Sequence, residues 1–215
     1  MGEPYNEIMA LARDIDAPLW IATTLPAQRQ QLAAFVDAEQ NATSIVEVSP
    51  LLVPGLLQTT DYIRAIMSGG GMPPDEAVTR MAIRVGRRAA ITRPNPVEFT
   101  TFIGQGALHQ LIGSPAIMLE QLRHLRTVAK RPNVTIRVTP FGSGWHPALE
   151  GAFTLIRSDG AVPIVLLENR SSGLFLHEDD DVTAYEDAVE LVAEAALSPI
   201  ASIELIAKMV AEKER

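Results

Sequence analysis

The chain has 215 residues, 26 acidic and 18 basic side chains, a formal net charge of −8 and no cysteine. This length can bury a sizeable core, and the absence of thiols excludes cysteine nucleophiles, iron-sulfur clusters and cysteine-based zinc sites. The acidic balance opposes a role in coating nucleic acid, because neutralising phosphates requires basic residues. No apolar run reaches the length of a membrane span and no signal peptide is visible, so we expect a cytoplasmic globular protein.

The first 45 residues have a polar, helical pattern. Tyr5 to Asp14 and the segment from Pro26 to Gln40 each carry apolar residues on one face, which is typical of helices. Residues 44–49 then alternate apolar and polar side chains and predict a short strand. We therefore expect a helical N-terminal segment, residues 1–45, followed by an effector or interaction domain, residues 46–215.

A Pro-Gly turn between two leucine pairs follows this strand. Pro54 fixes one backbone angle, and Gly55 admits the positive angle that a type II turn requires. The leucines predict that the turn is covered and that a helix runs from Leu56 to Met67. The next helical pattern, Asp75 to Arg93, contains five arginines and no acid within residues 77–93.

The middle of the chain is dominated by strand patterns. Strands are predicted at Val97 to Ile103 and at Asn133 to Pro140, with a helix capped by Ser114 between them. A right-handed crossover could make these two strands parallel neighbours. Three further strand patterns have short connections, which favour antiparallel pairing. They lie at Ala152 to Arg157, Pro163 to Glu168 and Gly173 to His177.

Two helical patterns, beginning at Val182 and Ser198, close the chain. Helices therefore lead, strands fill the middle and helices finish. This order predicts the α+β class, with a helical N-terminal part, a central mixed sheet of about five strands and two C-terminal helices.

The loop from Gly142 to Gly151 carries the most reactive set of side chains. Trp145 offers a flat aromatic face, His146 titrates near neutral pH and Glu150 supplies a carboxylate, so a small ligand could bind here. With Glu168, the loop could also transfer protons, provided that a group lies within about 3 Å of a ligand proton. Alternatively, Trp145 closes one end of the sheet and the glycines only form turns.

Other catalytic and metal-binding patterns are missing from the sequence. The four histidines form no His-Glu-x-x-His motif, and the acids from Glu178 to Asp181 lack the alternate spacing and the glycine of a calcium loop. Ser143 does not fit a nucleophile elbow. We therefore assign no catalytic residue, metal site or cofactor, and the sequence weighs against an enzyme.

Charge is strongly segregated along the chain. Residues 178–194 contain eight acids and no lysine or arginine, whereas residues 77–93 contain five arginines and no acid. Either the two segments are solvated or meet each other in the fold, or they form a bipolar surface that attracts a partner protein. DNA binding by the arginine segment alone is disfavoured, because the net charge of the chain repels the duplex.

Several short motifs occur in a fixed order along the chain. They include Val53-Pro-Gly-Leu-Leu-Gln-Thr-Thr-Asp-Tyr62, Phe102-Ile-Gly-Gln-Gly-Ala-Leu108, Pro132-Asn-Val-Thr-Ile136 and His146-Pro-Ala-Leu-Glu-Gly151. Together they resemble the C-terminal domain of actinobacterial antitoxin-like transcriptional regulators of the XRE helix-turn-helix class, the WhiJ-like proteins. The resemblance extends from about Leu11 to Val210.

The resemblance implies a domain that serves transcriptional regulation by binding a small partner protein encoded nearby, alone or together with a small ligand. Such domains usually follow a helix-turn-helix, through which they reach DNA. The first 45 residues show no helix-turn-helix pattern, so the sequence is either a piece of a longer protein or a stand-alone member. Where these domains usually carry an acid, this chain has the uncharged Gln105.

Two hypotheses remain, a regulatory domain that binds a partner and a biosynthetic enzyme that uses Trp145, His146 and Glu150. The candidate binding residues are Pro54, Gly55, Gln58, Arg84, Arg87, Gln105, Trp145, His146, Glu150 and Glu168.

Overall fold

The computed structural model describes residues 20–21, 25–71, 73–168 and 173–215, which form one mixed sheet with helices on both faces. The strands are β1 (Trp20–Ile21), β2 (Ser44–Ser49), β3 (Glu98–Gly104), β4 (Val134–Thr139), β5 (Phe153–Arg157), β6 (Ile164–Glu168) and β7 (Gly173–Leu176). The α-helices are α1 (Leu25–Asn41), α2 (Thr60–Gly69), α3 (Pro74–Arg87), α4 (Ala89–Thr92), α5 (Gln105–His109), α6 (Pro115–Val128), α7 (Asp179–Ala195) and α8 (Pro199–Lys213). Two single-turn 3-10 helices are η1 (Gly55–Leu57) and η2 (Pro147–Leu149).

The sheet has the strand order β1-β7-β6-β5-β2-β3-β4. Strands β2, β3 and β4 are parallel, and all other neighbours are antiparallel. The predicted parallel pairing of the strands on either side of the Ser114 helix is therefore confirmed, as is the antiparallel pairing of the three later strands. The α+β class is confirmed too.

The sheet is larger than the predicted five strands, because the described residues contribute seven. One strand that was not predicted is β1, which pairs with β7 and places Trp20 opposite Phe175. The helix predicted from Tyr5 to Asp14 lies outside the described residues. No helix within those residues is long and apolar enough to span a membrane.

The two faces of the sheet carry separate apolar cores. The front face, which carries Ile45, Phe99 and Ile156, is covered by residues of α1, α2, α4, α5, α6 and α8. The back face, which carries Val48 and Phe102, is covered by α7 and η2. Because successive strand residues point to opposite faces, every second residue of a strand shares its face.

Local capping determines where the later helices begin. Ser114 accepts a hydrogen bond from the amide of Ile117, and Ser198 accepts one from Ala201, with a proline in the first turn each time. Serine is favoured before the first turn because its side chain accepts a hydrogen bond from an amide that has no partner within the helix. Proline is favoured in the first turn because it has no such amide. The predicted starts of these two helices, at Ser114 and Ser198, are confirmed.

The Pro-Gly segment differs from its prediction. Leu57 donates its amide to the carbonyl of Pro54 at 2.9 Å, which forms the 3-10 helix η1. Gly55 does not have the positive φ that a type II turn requires of its second central residue. The prediction of a type II turn is therefore wrong. The predicted helix from Leu56 is also wrong at its start, because α2 begins only at Thr60.

The expected boundary between residues 45 and 46 falls inside β2, a central strand of the sheet. Helix α1, which precedes that boundary, places Phe35 and Ala38 in the front core. The division of the chain into an N-terminal segment and an effector domain stays a prediction.

Gly104 lies where β3 ends against the loop that follows β2. A Cβ at this position would lie 2.2 Å from the carbonyl oxygen of Pro50. Because backbone cannot move as readily as a flexible side chain, we expect Gly104→Ala to lower the free energy of unfolding by about 1–3 kcal/mol in urea denaturation. Gly106→Ala is the control, since its Cβ would meet only the Phe141 ring at 3.7 Å. Equal losses in the two variants would contradict this prediction.

Candidate functional site

A buried ion pair between Glu39 of α1 and Arg87 of α3 forms the centre of the candidate site. The Nε and Nη2 of Arg87 donate to the two carboxylate oxygens of Glu39 at 2.6 Å and 2.7 Å. Only 1% of Glu39 and 7% of Arg87 is exposed. The guanidinium carbon also lies 4.5 Å from the centre of the Phe35 ring. This pairing uses both the planar fork and the aromatic stacking of arginine, which lysine could not reproduce.

Helix α3 brings Arg84 next to this pair. Asp75 and Glu76 lie in its first turn, and Arg84 and Arg87 lie in its last, so the charges complement the helix dipole. Residues three apart are neighbours on a helix surface. Burial lowers the pKa of Arg84, and the nearby Arg87 lowers it further. The two arginines therefore require carboxylates close by.

Glu47 supplies one of these carboxylates from the middle of the sheet. It shares the front face with Ile45, and its neighbours in register are Thr101 on β3 and Thr154 on β5. Burial raises the pKa of Glu47 from 4.5 to about 7, against the opposing effects of Arg87 and of a backbone hydrogen bond from Gly55. A carboxyl with such a pKa can release or accept a proton at neutral pH.

Glu168, at the end of β6, supplies the third carboxylate. Leu166 belongs to the front core, so the alternation of the strand places Glu168 on the same face. Its charge raises the pKa of Glu39 and of Glu47, and it raises the pKa of both Arg84 and Arg87. Glu168 therefore lies within electrostatic reach of all four groups.

We call Glu39, Glu47, Arg84, Arg87 and Glu168 the ion cluster. It brings together three of the predicted candidates, Arg84, Arg87 and Glu168, and a fourth lies beside it, because a Cβ on Gly55 would lie 3.6 Å from the Arg87 guanidinium. Three carboxylates and two guanidiniums leave one negative charge when all are ionised. No group of histidine, aspartate or glutamate side chains that could hold a metal ion occurs in the described residues.

Glu39 and Glu47 were not among the predicted candidates, although the sequence pattern around each indicates an inward position. Glu39 follows Phe35 by four positions and so falls on the apolar face of its helix. Glu47 follows Ile45 by two positions and so shares the inward face of its strand. An acid at an inward position must be paired or must shift its pKa.

The candidates Pro54 and Gln58 lie at the two ends of the 3-10 helix η1. Both are buried, and the Nε2 of Gln58 donates to the carbonyl of Val53 at 2.7 Å. Gln121 of α6 accepts from the amide of Thr59 and donates to the carbonyl of Leu57. These bonds fix the chain around η1 and thereby hold Gly55 against Arg87.

The three candidates of the loop at Trp145 differ in their exposure to solvent. The side chain of Trp145 is 68% exposed and Glu150 is exposed, whereas only 5% of His146 is exposed. The Nδ1 of His146 is buried without a hydrogen-bond partner in the described part. Ala148 belongs to the back core, so this loop and the front-facing Glu168 lie on opposite faces. Trp145 is too exposed to close an end of the sheet.

Gln105 has a local role. Its Oε1 accepts a hydrogen bond from the amide of Phe141 at 2.9 Å, which connects α5 to the loop after β4. An uncharged amide fulfils this role.

An open groove of about 500 Å³ lies between the end of α1 and the turn before β3. Its lining includes Gln40, Thr43, Arg93 and Asn95, none of which was a predicted candidate. Arg93 donates to the carbonyl of Gln40 across this groove. Some of the polar atoms that line the groove are therefore already hydrogen-bonded to each other.

Helix α7 exposes most of its acids to solvent. Asp180, Asp187, Glu190 and Glu194 are exposed and follow one another at helical intervals of seven, three and four, so they share one side, which we call the acidic face. Leu191, which is 47% exposed, lies between them. In the described part of the chain none of these four acids forms an ion pair, whereas Arg80 and Arg87 of α3 pair with Glu76 and Glu39 and not with α7. The two charged segments therefore do not neutralise each other.

Comparison with protein families matches residues 32–208 to a family described as a domain of unknown function, DUF5753. A comparison with curated proteins found no match. The matched range contains the whole ion cluster, the acidic face and all strands from β2 onward. The chain therefore belongs to the DUF5753 family.

Proposed function

We propose that this chain is a regulatory interaction domain that binds a small basic partner protein through the acidic face of α7. The supporting observation is that this face combines four exposed acids with an exposed leucine, Leu191. A patch of one charge sign around an apolar side chain suits a partner that offers basic residues around an apolar contact.

Two contacts on the inner side of α7 support a rigid docking surface. Arg157 of β5 donates to Glu186 at 2.7 Å. Arg137 of β4 donates to the carbonyls of Ala193, Ala196 and Leu197, which satisfies the end of the helix. Because the sheet holds α7 from below, the acidic face is presented without the entropy cost of ordering a mobile segment.

The resemblance to antitoxin-like regulators supports the same proposal. In such a protein the domain receives a signal by binding, while a helix-turn-helix elsewhere reads DNA. We propose a cytoplasmic site of action, as expected of a transcriptional regulator, and a partner encoded close to the gene of this protein.

The partner proposal is tested with the small protein encoded beside this gene. We expect the double variant Glu190→Lys/Glu194→Lys to slow association about tenfold at about 50 mM NaCl and much less at about 300 mM, because steering by surface charge is screened by salt. Biolayer interferometry measures the association rate. Lysine near the carboxyl end of a helix is compatible with folding.

The matched control is Glu204→Lys/Glu212→Lys on α8, which changes the net charge equally at exposed positions away from the acidic face. It should retain most of the association rate. An equal effect of both double variants, or no complex at micromolar concentrations, would refute the docking surface.

A further inference from the structure

We propose that a second copy of this chain docks on an apolar patch at the end of the sheet where the parallel strands β2, β3 and β4 finish. We define the apolar patch as the exposed side chains of Leu51, Leu52, Leu111, Phe141 and Trp145. None of these residues belongs to α7, so this surface differs from the acidic face.

The strand arrangement brings the loops of the apolar patch to one end of the sheet. Strands β2, β3 and β4 are parallel neighbours in this order. Because neighbouring strands lie about 4.8 Å apart, the loops that follow β2 and β4 begin within roughly 10 Å of each other. The first of these loops carries Leu51 and Leu52, and the second carries Phe141 and Trp145.

The segment after β3 connects these two loops. A Cβ on Gly104, the last residue of β3, would lie 2.2 Å from the carbonyl oxygen of Pro50, which directly precedes the two leucines. On the other side, the ring centre of His109 lies 5.6 Å from that of Phe141. Leu111 follows His109 by two positions. The apolar side chains of all three loops are therefore close neighbours.

The segments that build this end of the sheet carry no acidic or strongly basic side chain. Residues 48–60, 99–119 and 138–149 contain no aspartate, glutamate, lysine or arginine, although these types make up 20% of the chain. The cores of protein interfaces are depleted in charged residues and enriched in aromatic ones. The apolar patch therefore has the composition of an interface core.

The area of the apolar patch suits a weak dimer. The exposed fraction is 70% for Leu51, 66% for Phe141 and 61% for Leu111. At about 150–250 Å² for a whole large side chain, the five residues expose about 600 Å². Monomers rarely expose more than this in one patch, and two such surfaces would bury about 1,200 Å², the lower limit of a specific interface.

Charge identifies the occupant as a second copy. In a two-fold dimer the same surface meets itself, so a patch of one charge sign repels its copy, whereas an uncharged apolar patch is complementary to itself. The chain carries a net charge of −8, so two copies approach each other at least cost where acids are absent. A basic partner gains no electrostatic attraction at this surface.

Sedimentation velocity of the unmodified chain tests the association. We expect a monomer–dimer equilibrium with a dissociation constant of about 1–100 µM, as suits an interface of this size. It should tighten severalfold between about 50 mM and about 300 mM NaCl, because salt screens the repulsion between two acidic molecules. A chain that stays monomeric up to about 200 µM at both salt concentrations would overturn the dimer.

This salt dependence is opposite to that expected for a basic partner on the acidic face. Failure of the dimer can therefore be told apart from failure of the partner proposal.

Two variants place an acid in the apolar patch. Trp145→Asp and Leu51→Asp should each raise the dissociation constant at least about tenfold, because each introduces a like charge on both copies. Val162→Asp is the matched control. It adds the same charge at an exposed apolar position between β5 and β6, at the end of the sheet where Arg157 pairs with Ser44.

Circular dichroism of all three variants checks that they fold. A dimer that both patch variants leave unchanged, or that the control weakens equally, would refute the assigned surface.

Fluorescence of Trp145 tests the same contact without a substitution in the apolar patch. The chain has two tryptophans, so Trp20→Phe leaves Trp145 as the single one. As the dimer forms, its emission should shift to shorter wavelength and its quenching by acrylamide should fall at least about twofold, because the ring leaves water. Emission and quenching that stay the same at monomer and dimer concentrations would overturn the proposal.

Discussion

Arg87→Ala is expected to lower the free energy of unfolding by about 3–5 kcal/mol, because it leaves the carboxylate of Glu39 buried without its counter-ion. Both oxygens of Glu39 accept from Arg87, and the carboxyl is almost fully buried. The substitution also removes the contact of the guanidinium with Phe35. Urea denaturation followed by circular dichroism measures the loss.

The control for this prediction is Arg123→Ala. Arg123 also donates twice to one glutamate, Glu214, but both side chains are close to half exposed. Exposed pairs contribute about 0–1 kcal/mol, so the control should lose little stability. Replacing both buried partners, as Glu39→Leu/Arg87→Met, should recover much of the loss, because no unpaired charge remains. Similar losses in Arg87→Ala and Arg123→Ala would contradict the importance of burial.

Glu47→Gln is expected to stabilise the protein at pH 8 and to leave its stability near pH 5 almost unchanged. Burial raises the pKa of Glu47 from 4.5 to about 7, so the folded protein binds this proton more tightly than the unfolded chain does. Stability therefore falls as the pH rises through this interval, by on the order of 3 kcal/mol, and the loss is complete above the folded pKa. The glutamine variant carries no such charge.

Urea denaturation at several pH values between 5 and 8 measures this difference. Burial also raises the pKa of Glu39, which adds a change of the same sign, so the variant should show a smaller slope with pH and not a flat profile. Glu98→Gln is the control, because Glu98 is exposed at the start of β3. Parallel stability curves for Glu47→Gln and the unmodified protein would refute the assigned environment of Glu47.

The candidate site was only partly predictable. Arg84, Arg87 and Glu168 were selected from the sequence, and Gly55 was selected for a turn that it does not form. Gly55 matters because it has no side chain beside the guanidinium of Arg87. This proximity depends on how α3 packs on η1. The loop at Trp145 attracted attention by its composition, but composition does not reveal that Trp145 points outward while His146 is buried.

The sequence by itself determined the class of the fold and the starts of α6 and α8. Those features follow from the period of apolar residues and from capping by Ser114 and Ser198, which act over a few neighbouring residues. The tertiary structure alone decided that Glu39 meets Arg87, 48 positions away, and that Glu47 and Glu168 lie on the same face of the sheet. The physical reason is that the energy of a charge depends on the groups around it, and packing of the helices on the sheet brings those groups from distant parts of the chain.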